Sequence, residues 1–436
     1  MNVLLNKSEK YRSSHGIYIL MCCIFCGFYF IRDIIGIGVN WYLIYAFGAL
    51  TVLVVSKEEI IAFLVSIAAF ANAGFNGMFA LMILMCVILR FWNNLTSVKK
   101  YTLIPIGMIL LETLHYIYNH GIDRGVWLTY ICFLLVLIII QQYDTKKINK
   151  MFVMKSFVCF SLFFVIMTIL QMIKIYGSFE NMITIGFRTK EYKELLGEYA
   201  HLIGNSNYLT SLSSLNLCIC AILISKSNKK IPFIIAFSAF MLTGLLTVSK
   251  MFVITVIAFA AYIIFFAYKK GLKYGIGLSV VLIIVGAVMF NLFQDTLIQM
   301  VADRFLEKDW STGRVSIVET LLVYMNEHPF TYITGLGILQ TFNYIGGHAV
   351  HSSFFEVLGG WGIFGVVLVI GYILVQISAA KKNAIFSGAK PTGLNYLPIL
   401  VFLGYSLAGM LFSSALAIIR MMVAIYAIEI GGKSEI

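Results

Sequence analysis

Two histidines, His348 and His351, stand in the stretch GGHAVHSSFFEVLGGWGIFG, residues 346–365, where a polar, Gly-rich turn runs straight into an apolar segment. An imidazole titrates near physiological pH, so it can take a proton from a hydroxyl and give it back. One reading of His351 is therefore a general base. A second is structural: a loop histidine beside a helix whose glycines, Gly359, Gly360, Gly362 and Gly365, let neighbouring helices approach closely. Metal ligation is the weakest of the three. His348 and His351 could share a helix face, but no acidic or Cys partner stands at zinc-like spacing, and neither a metal nor another cofactor is expected. Three cations could act with such a base: Arg188 in IGFRTKEY, Lys250 at the end of LLTVSK and Arg314 in STGRVSIVE. A guanidinium holds phosphate oxygens in a two-pronged fork, so the three could clamp a diphosphate. The structural alternative is that they snorkel or solubilise loops.

The elements that must position these residues are membrane helices. The chain of 436 residues is 60% hydrophobic and 12% charged, with a mean hydropathy of +0.92. A soluble domain carries roughly 25% charged residues. Apolar segments fall near 16–33, 37–56, 59–73, 75–92, 101–118, 125–142, 150–176, 207–225, 231–248, 251–268, 273–292, 350–379, 396–413 and 416–431. They predict an all-α polytopic membrane protein of about fourteen transmembrane helices, one integral membrane domain over 1–436, set in the lipid bilayer. The net charge of +12 does not point to nucleic acid, because Lys and Arg cluster between the apolar runs. The eight cysteines lie within or beside those runs and read as small apolar fillers. The basic start MNVLLNKSEKYRSSHG precedes an apolar run without an A-x-A-like cleavage site and reads as a signal anchor.

If Lys7, Lys10 and Arg12 are cytoplasmic, strict alternation puts SKEE 56–59, SVKK 97–100, DTKKINK 144–150, SKSNKK 225–230, YKKGLK 268–273 and AAKKNA 379–384 on the same side. Both termini are then cytoplasmic, and Arg188, Lys250, Arg314 and His351 are extracytoplasmic. Two long connections fall outside as well, 177–206 and 293–350. In the second, Val315, Val318, Leu321, Leu322 and Met325 repeat at helical spacing. Ser311 or Thr312 could cap that helix and Pro329 end it, giving a lid or shelf over the membrane face. Other polar groups inside apolar runs, Arg32 with Asp33, Glu112 with His115, and Arg420, are functional candidates or interhelical pairs. No Walker loop, no GxSxG and no D-x-D-like loop pair is present, which removes ATP-driven and metal–nucleotide-sugar chemistry as first choices.

The motifs together resemble those of the O-antigen ligase/polymerase family. HSSFFEVLGGWGIFG resembles that family's histidine motif, a His followed by Gly at His351, Gly362 and Gly365. STGRVSIVETLLVYMNEHPFTYITGLG looks like the Arg-led helix before it, closing at His328, Pro329, Gly335 and Gly337. GNSNY, with Asn205, Asn207 and Tyr208, resembles an Asn-rich helix entry, and VSKMF a Ser-Arg entry with Lys250 in place of Arg. The motifs cover roughly 200–431, and the N-terminal half agrees in helix count. The resemblance implies a glycosyltransferase C-type architecture and a metal-independent transfer from undecaprenyl-diphosphate-linked oligosaccharides on the outer face of a bacterial cytoplasmic membrane. In that reading His351 is the base, and Arg314, Arg188 and Lys250 hold the diphosphate. His348, Glu356 and Asn207 are secondary site candidates. A lysine at 250 offers a point charge where an arginine would offer a fork. The expected reaction is polymerisation of O-antigen or capsule repeat units, with a chain-length regulator protein as a partner. Two alternatives are an O-antigen ligase that moves glycan onto lipid A–core and a lipid-linked oligosaccharide flippase or other transporter. Transporters usually show repeated halves and helices broken at matching positions, and no such symmetry is visible in the sequence.

Overall fold

The computed structural model describes residues 2–70, 75–94, 99, 102–119, 123–143, 145–178, 206–247, 249–270, 276, 314–348, 350–406 and 412–430. Among the described residues all regular structure is helical. The N-terminal half consists of α1 (Asn2–Phe30, continued by a π turn at Ile31–Ile35), α2 (Trp41–Val54), α3 (Lys57–Ile67), α4 (Gly77–Phe91), α5 (Leu103–Asn119), α6 (Arg124–Gln142) and α7 (Lys150–Tyr176). Then come α8 (Ser206–Lys226), α9 (Ile231–Leu246), α10 (Lys250–Lys270) and α11 (Arg314–Glu327). Two single turns, Thr331–Thr334 and Thr341–Tyr344, lead into α12 (Ser353–Phe386), α13 (Gly393–Ser406) and α14 (Ala415–Glu429).

Each expected apolar segment coincides with one of these helices except 273–292, which apart from Ile276 lies outside the described residues. Most of the loop 177–206 and the stretch 293–313 lie outside them too. Among the described residues six helical stretches are long and apolar enough to cross a membrane: His15–Ile35, Gly77–Asn94, Arg124–Gln142, Lys150–Tyr176, Ser206–Lys226 and Ser353–Phe386. The expected fourteen spans are thus met in full length by six, and shorter apolar helices such as Trp41–Val54 and Ile231–Leu246 accompany them. The outer faces of the bundle are apolar and open, with Ile257, Val367 and Leu374 more than half exposed, as lipid-facing residues are. The chain is a multi-pass membrane protein.

The polar residues between the apolar runs start helices. Ser56 and Glu59 form a reciprocal capping box on α3, while Asn40, Asn76, Asp123 and Asn149 each accept a first-turn N–H of α2, α4, α6 and α7. At the centre stands α14, in which every residue from Ala415 to Ile428 is buried. It packs against α3, α6, α7, α8, α12 and α13. A helix that is apolar all round has to be enclosed by others, and this one is.

The bundle has two chemically different ends. At one, Lys57 donates to Asn94 (2.7 Å), Lys99 to the carbonyls of Gln141 (2.8 Å) and Tyr143 (2.9 Å), and Lys150 pairs with Glu429 (3.3 Å). Asn383 donates to the same Glu429 (3.2 Å). The basic clusters 56–59, 97–100, 144–150 and 379–384 therefore converge there. At the other end the buried Arg32 guanidinium is fixed by Asp33 (2.6 Å) and lies over the rings of Trp41 (3.7 Å) and Tyr29 (4.9 Å). That polar pair is local, within one turn, not interhelical.

Candidate active site

His351 sits immediately before α12, at φ +52, and among the described residues it is the one non-glycine in the left-handed region. It is half-buried. Its neighbour Val350 is buried in a small apolar cluster with Leu321 and Met325 of α11, Leu336 and Ile345, closed by Phe355 and Leu358 of α12. The Arg-led helix α11 thus lies across the segment that carries His351. Its buried face is Leu321 and Met325 with Ile317 and Val318 alongside, whereas Val315, expected on that face, is exposed. Arg314 is the first residue of α11, and its side chain lies outside what is described, as do Ser311, Thr312 and Arg188.

Behind His351 the glycines do more than let helices touch. α12 is broken at Gly362, where φ is +63 and ψ is −161. The carbonyls of Gly359 and Gly360, close to that break, accept the N–H groups of Leu336 (2.8 Å) and Gly337 (2.6 Å). The turn 333–338 is seated so closely that a Cβ on Gly335 would lie 2.2 Å from the Gly360 carbonyl oxygen, and one on Gly362 would lie 2.2 Å from that of Ile333. Gly335 and Gly337 both have positive φ. The HP…GxG segment and the histidine motif are therefore two halves of one backbone-to-backbone joint.

Glu112 of α5 locks that joint. Fully buried, its carboxylate accepts the N–H of Ile338 (2.9 Å), the N–H of Leu339 (3.2 Å) and the indole N–H of Trp361 (2.7 Å). One turn on, His115 Nε2 is 2.8 Å from the Thr334 carbonyl, and Gln340 donates to the His115 carbonyl (3.1 Å). Sequence shows Glu112 and His115 as an intramembrane polar pair. Their partners lie more than two hundred residues away, and only the fold reveals them.

Glu356, one turn into α12, accepts the N–H groups of Phe412 (3.1 Å) and Ser413 (2.9 Å) and is buried. Tyr130 of α6 donates to the Phe412 carbonyl (2.7 Å), so the entry to the central helix α14 is held from two sides. Arg420 follows in α14, 2% exposed, its guanidinium 5.1 Å from the ring centroid of Tyr208. Among the described residues its Nε and Nη1 have no hydrogen-bond partner. Tyr208 itself donates to the carbonyls of Ala68 (3.1 Å) and Ala69 (2.6 Å). Nearby, Thr210 bonds Thr247 (2.9 Å), three residues before Lys250 opens α10. The contacts Thr210–Thr247, Tyr208–Arg420 and Ser413–Glu356 thus lie toward one end of the bundle, the end that carries Lys250 and His351. That end is opposite the one where the basic clusters gather. Asn207 is exposed at the start of α8, and His348 is exposed on the turn before His351. Among the described residues no three His, Cys, Asp or Glu side chains converge as metal ligands would.

No curated protein matches the chain. Residues 232–370, from the first turn of α9 to within α12, match the family model described as O-Antigen ligase. That stretch contains Lys250, Arg314, His348, His351 and Glu356 together with the Gly335–Gly362 joint. An O-antigen ligase/polymerase-type function is supported by the match. The resemblance carried by HSSFFEVLGGWGIFG and its neighbours is borne out over residues 232–370, whose match supports the O-antigen ligase/polymerase family.

Proposed function

We propose that the protein is a membrane glycosyltransferase that polymerises oligosaccharide repeat units carried on undecaprenyl diphosphate. The observation that carries this reading is the left-handed backbone of His351, inside the family-matching segment and braced by α11 on one side and the joint on the other. A non-glycine residue holds such a conformation only where its surroundings over-determine it, and such positions cluster at active sites. The acceptor sugar's hydroxyl attacks the anomeric carbon of the donor while His351 takes the hydroxyl proton. The bond from that carbon to the diphosphate oxygen breaks, and its electron pair leaves on the lipid diphosphate. Arg314, Arg188 and Lys250 are the cations offered to that anion, with the buried Arg420 at the same end of the bundle as Lys250. A base contributes typically about 10²–10⁴-fold, and cationic stabilisation of the leaving group is often the larger effect. A single displacement of this kind inverts the anomeric centre. His348 and Asn207 flank the site, and Glu356 acts by positioning. The donor brings its own activation, so the reaction runs without nucleotide or metal on the outer face of the cytoplasmic membrane. Chain length is left to a partner regulator.

A second reading has its own support, since the matching family model is described as a ligase. Ligase and polymerase share donor and displacement and differ in acceptor, lipid A–core against a second lipid-linked unit. Purified protein given lipid-linked repeat units alone should build a ladder of products. No ladder, with transfer to added lipid A–core, decides for the ligase. The base is tested with His351→Gly and His351→Asn, both of which tolerate the left-handed backbone. Chain extension should fall about 10²–10⁴-fold while thermal stability hardly moves. Full-length polymer from both variants would remove His351 from the chemistry.

A further inference from the structure

At the end of the bundle opposite His351, a cavity of about 440 Å³ opens between the first turns of α7 and the α8–α9 hairpin. Its polar wall is Lys155, Lys226, Lys229 and Asn149; its apolar wall includes Met151 and Phe233. Among the described residues no carboxylate lines it. Two acidic groups beside α7 already have partners: Glu58 accepts the N–H of Asn149 (3.0 Å), and Glu429 pairs with Lys150 (3.3 Å). At the same end Lys57 donates to Asn94 and Lys99 to two carbonyls. By contrast, among the described residues the ammonium groups of Lys155, Lys226 and Lys229 make no hydrogen bond or ion pair. The ammonium of Lys155 lies 6.0 Å from the Phe233 ring centroid. The start of α9, the positive end of its dipole, borders the same space and has no side-chain cap.

We infer that this cavity binds the phosphodiester headgroup of an anionic membrane phospholipid. Three cations without a protein counter-charge leave an anion-shaped deficit, and the volume falls in the usual range for a small-molecule site. Lys155 stands five residues into α7, roughly 7–8 Å below its first residue, so the deficit reaches down to headgroup depth in a membrane-spanning helix. The apolar wall of Met151 and Phe233 suits the glycerol and first methylenes of a lipid and gives a free phosphate ion nothing to pack on. The site lies away from the reacting groups and stands or falls independently of the proposed glycosyl transfer.

Full-length protein in detergent, titrated with mixed micelles of phosphatidylglycerol or phosphatidylcholine and separately with inorganic phosphate, tests the inference by thermal shift and by native mass spectrometry of retained lipid. Phosphatidylglycerol should stabilise the protein and survive delipidation, while phosphatidylcholine and inorganic phosphate should do neither. Each surface lysine adds roughly a 5-fold affinity for anionic lipid. The triple variant Lys155→Gln, Lys226→Gln, Lys229→Gln should therefore weaken binding about 10²-fold. Lys→Arg at the same three positions should retain it. A control variant, Lys381→Gln with Lys382→Gln, removes two exposed charges from the same end and should bind as the unaltered chain does. Undiminished binding by the triple variant, an equal loss in the control, or equal protection by inorganic phosphate would each overturn the lipid site.

Discussion

Glu112 concentrates at one carboxylate the task of holding loop, broken helix and α5 together. Its two oxygens serve three donors, and no water is needed to satisfy them. Replacing it by Gln keeps the volume but turns one acceptor oxygen into an NH₂ group. At least one buried N–H is then left facing another donor, at a cost of about 1–3 kcal/mol. Trp361→Phe removes one donor and should cost about 1 kcal/mol for the lost bond. Because the two residues share that bond, the double variant should lose less than the sum of the singles by about 1 kcal/mol. Unfolding of the four proteins in detergent measures the cycle. Strict additivity would show that the 2.7 Å indole–carboxylate bond contributes nothing to the joint.

At the scale of elements, the joint between α12 and the turn 333–338 rests on glycines of unequal importance. Gly362 adopts φ +63 with ψ −161, a combination essentially reserved for glycine, and its missing Cβ leaves room for the Ile333 carbonyl. Gly362→Ala combines strain on the order of 1–3 kcal/mol with a backbone clash and should cost more than about 3 kcal/mol. Gly347 also has positive φ, but nothing lies within 4 Å of its Cβ position, so Gly347→Ala should cost only about 1–2 kcal/mol. Equal losses on thermal unfolding would mean that backbone strain alone, not the close approach, governs this region. The same elements show how far sequence carries. Long apolar runs mark α7, α8 and α12 because a span needs about 20 apolar residues whatever surrounds it. The amphipathic α11 is legible from its periodicity, although Val315 points away from the face its spacing suggests. The break in α12 is not legible, because a glycine in an apolar run reads equally as a helix–helix contact. Glu112 is visible as a buried carboxylate, but its partners are set by tertiary contact across 226 residues or more. His351 is visible as a candidate base, whereas its left-handed backbone is not. A broken helix is also what a transporter would show, but here the carbonyls of Gly359 and Gly360 beside the break accept the chain's own N–H groups and serve to join the helix to the turn 333–338.

For the whole molecule, the two ends of the bundle differ in a way that sets its orientation. Lysines of three separate loops gather at one end, anchored on Asn94, Gln141, Tyr143 and Glu429, and the anionic-lipid cavity lies there too. The opposite end carries His351, the start of α11 and the entry to α14. Basic loops are retained in the cytoplasm because translocating them is unfavourable, so the lysine-rich end should be inside and the His351 end outside. Single cysteines introduced at His348 and at Asn228, both exposed, report the two ends directly. With a membrane-impermeant maleimide, the cysteine at 348 should label in intact cells and the one at 228 only after permeabilisation. The native Cys23 and Cys159 are exposed on apolar helices that face lipid, out of reach of a membrane-impermeant reagent, so the unaltered chain should give a low background. Labelling at 228 but not at 348 in intact cells would invert the molecule. It would put the base and its cations on the side where lipid-linked sugars are made, not where they arrive after flipping. The polymerase reading would then fail for want of substrate, however well the residues of the site fit the chemistry.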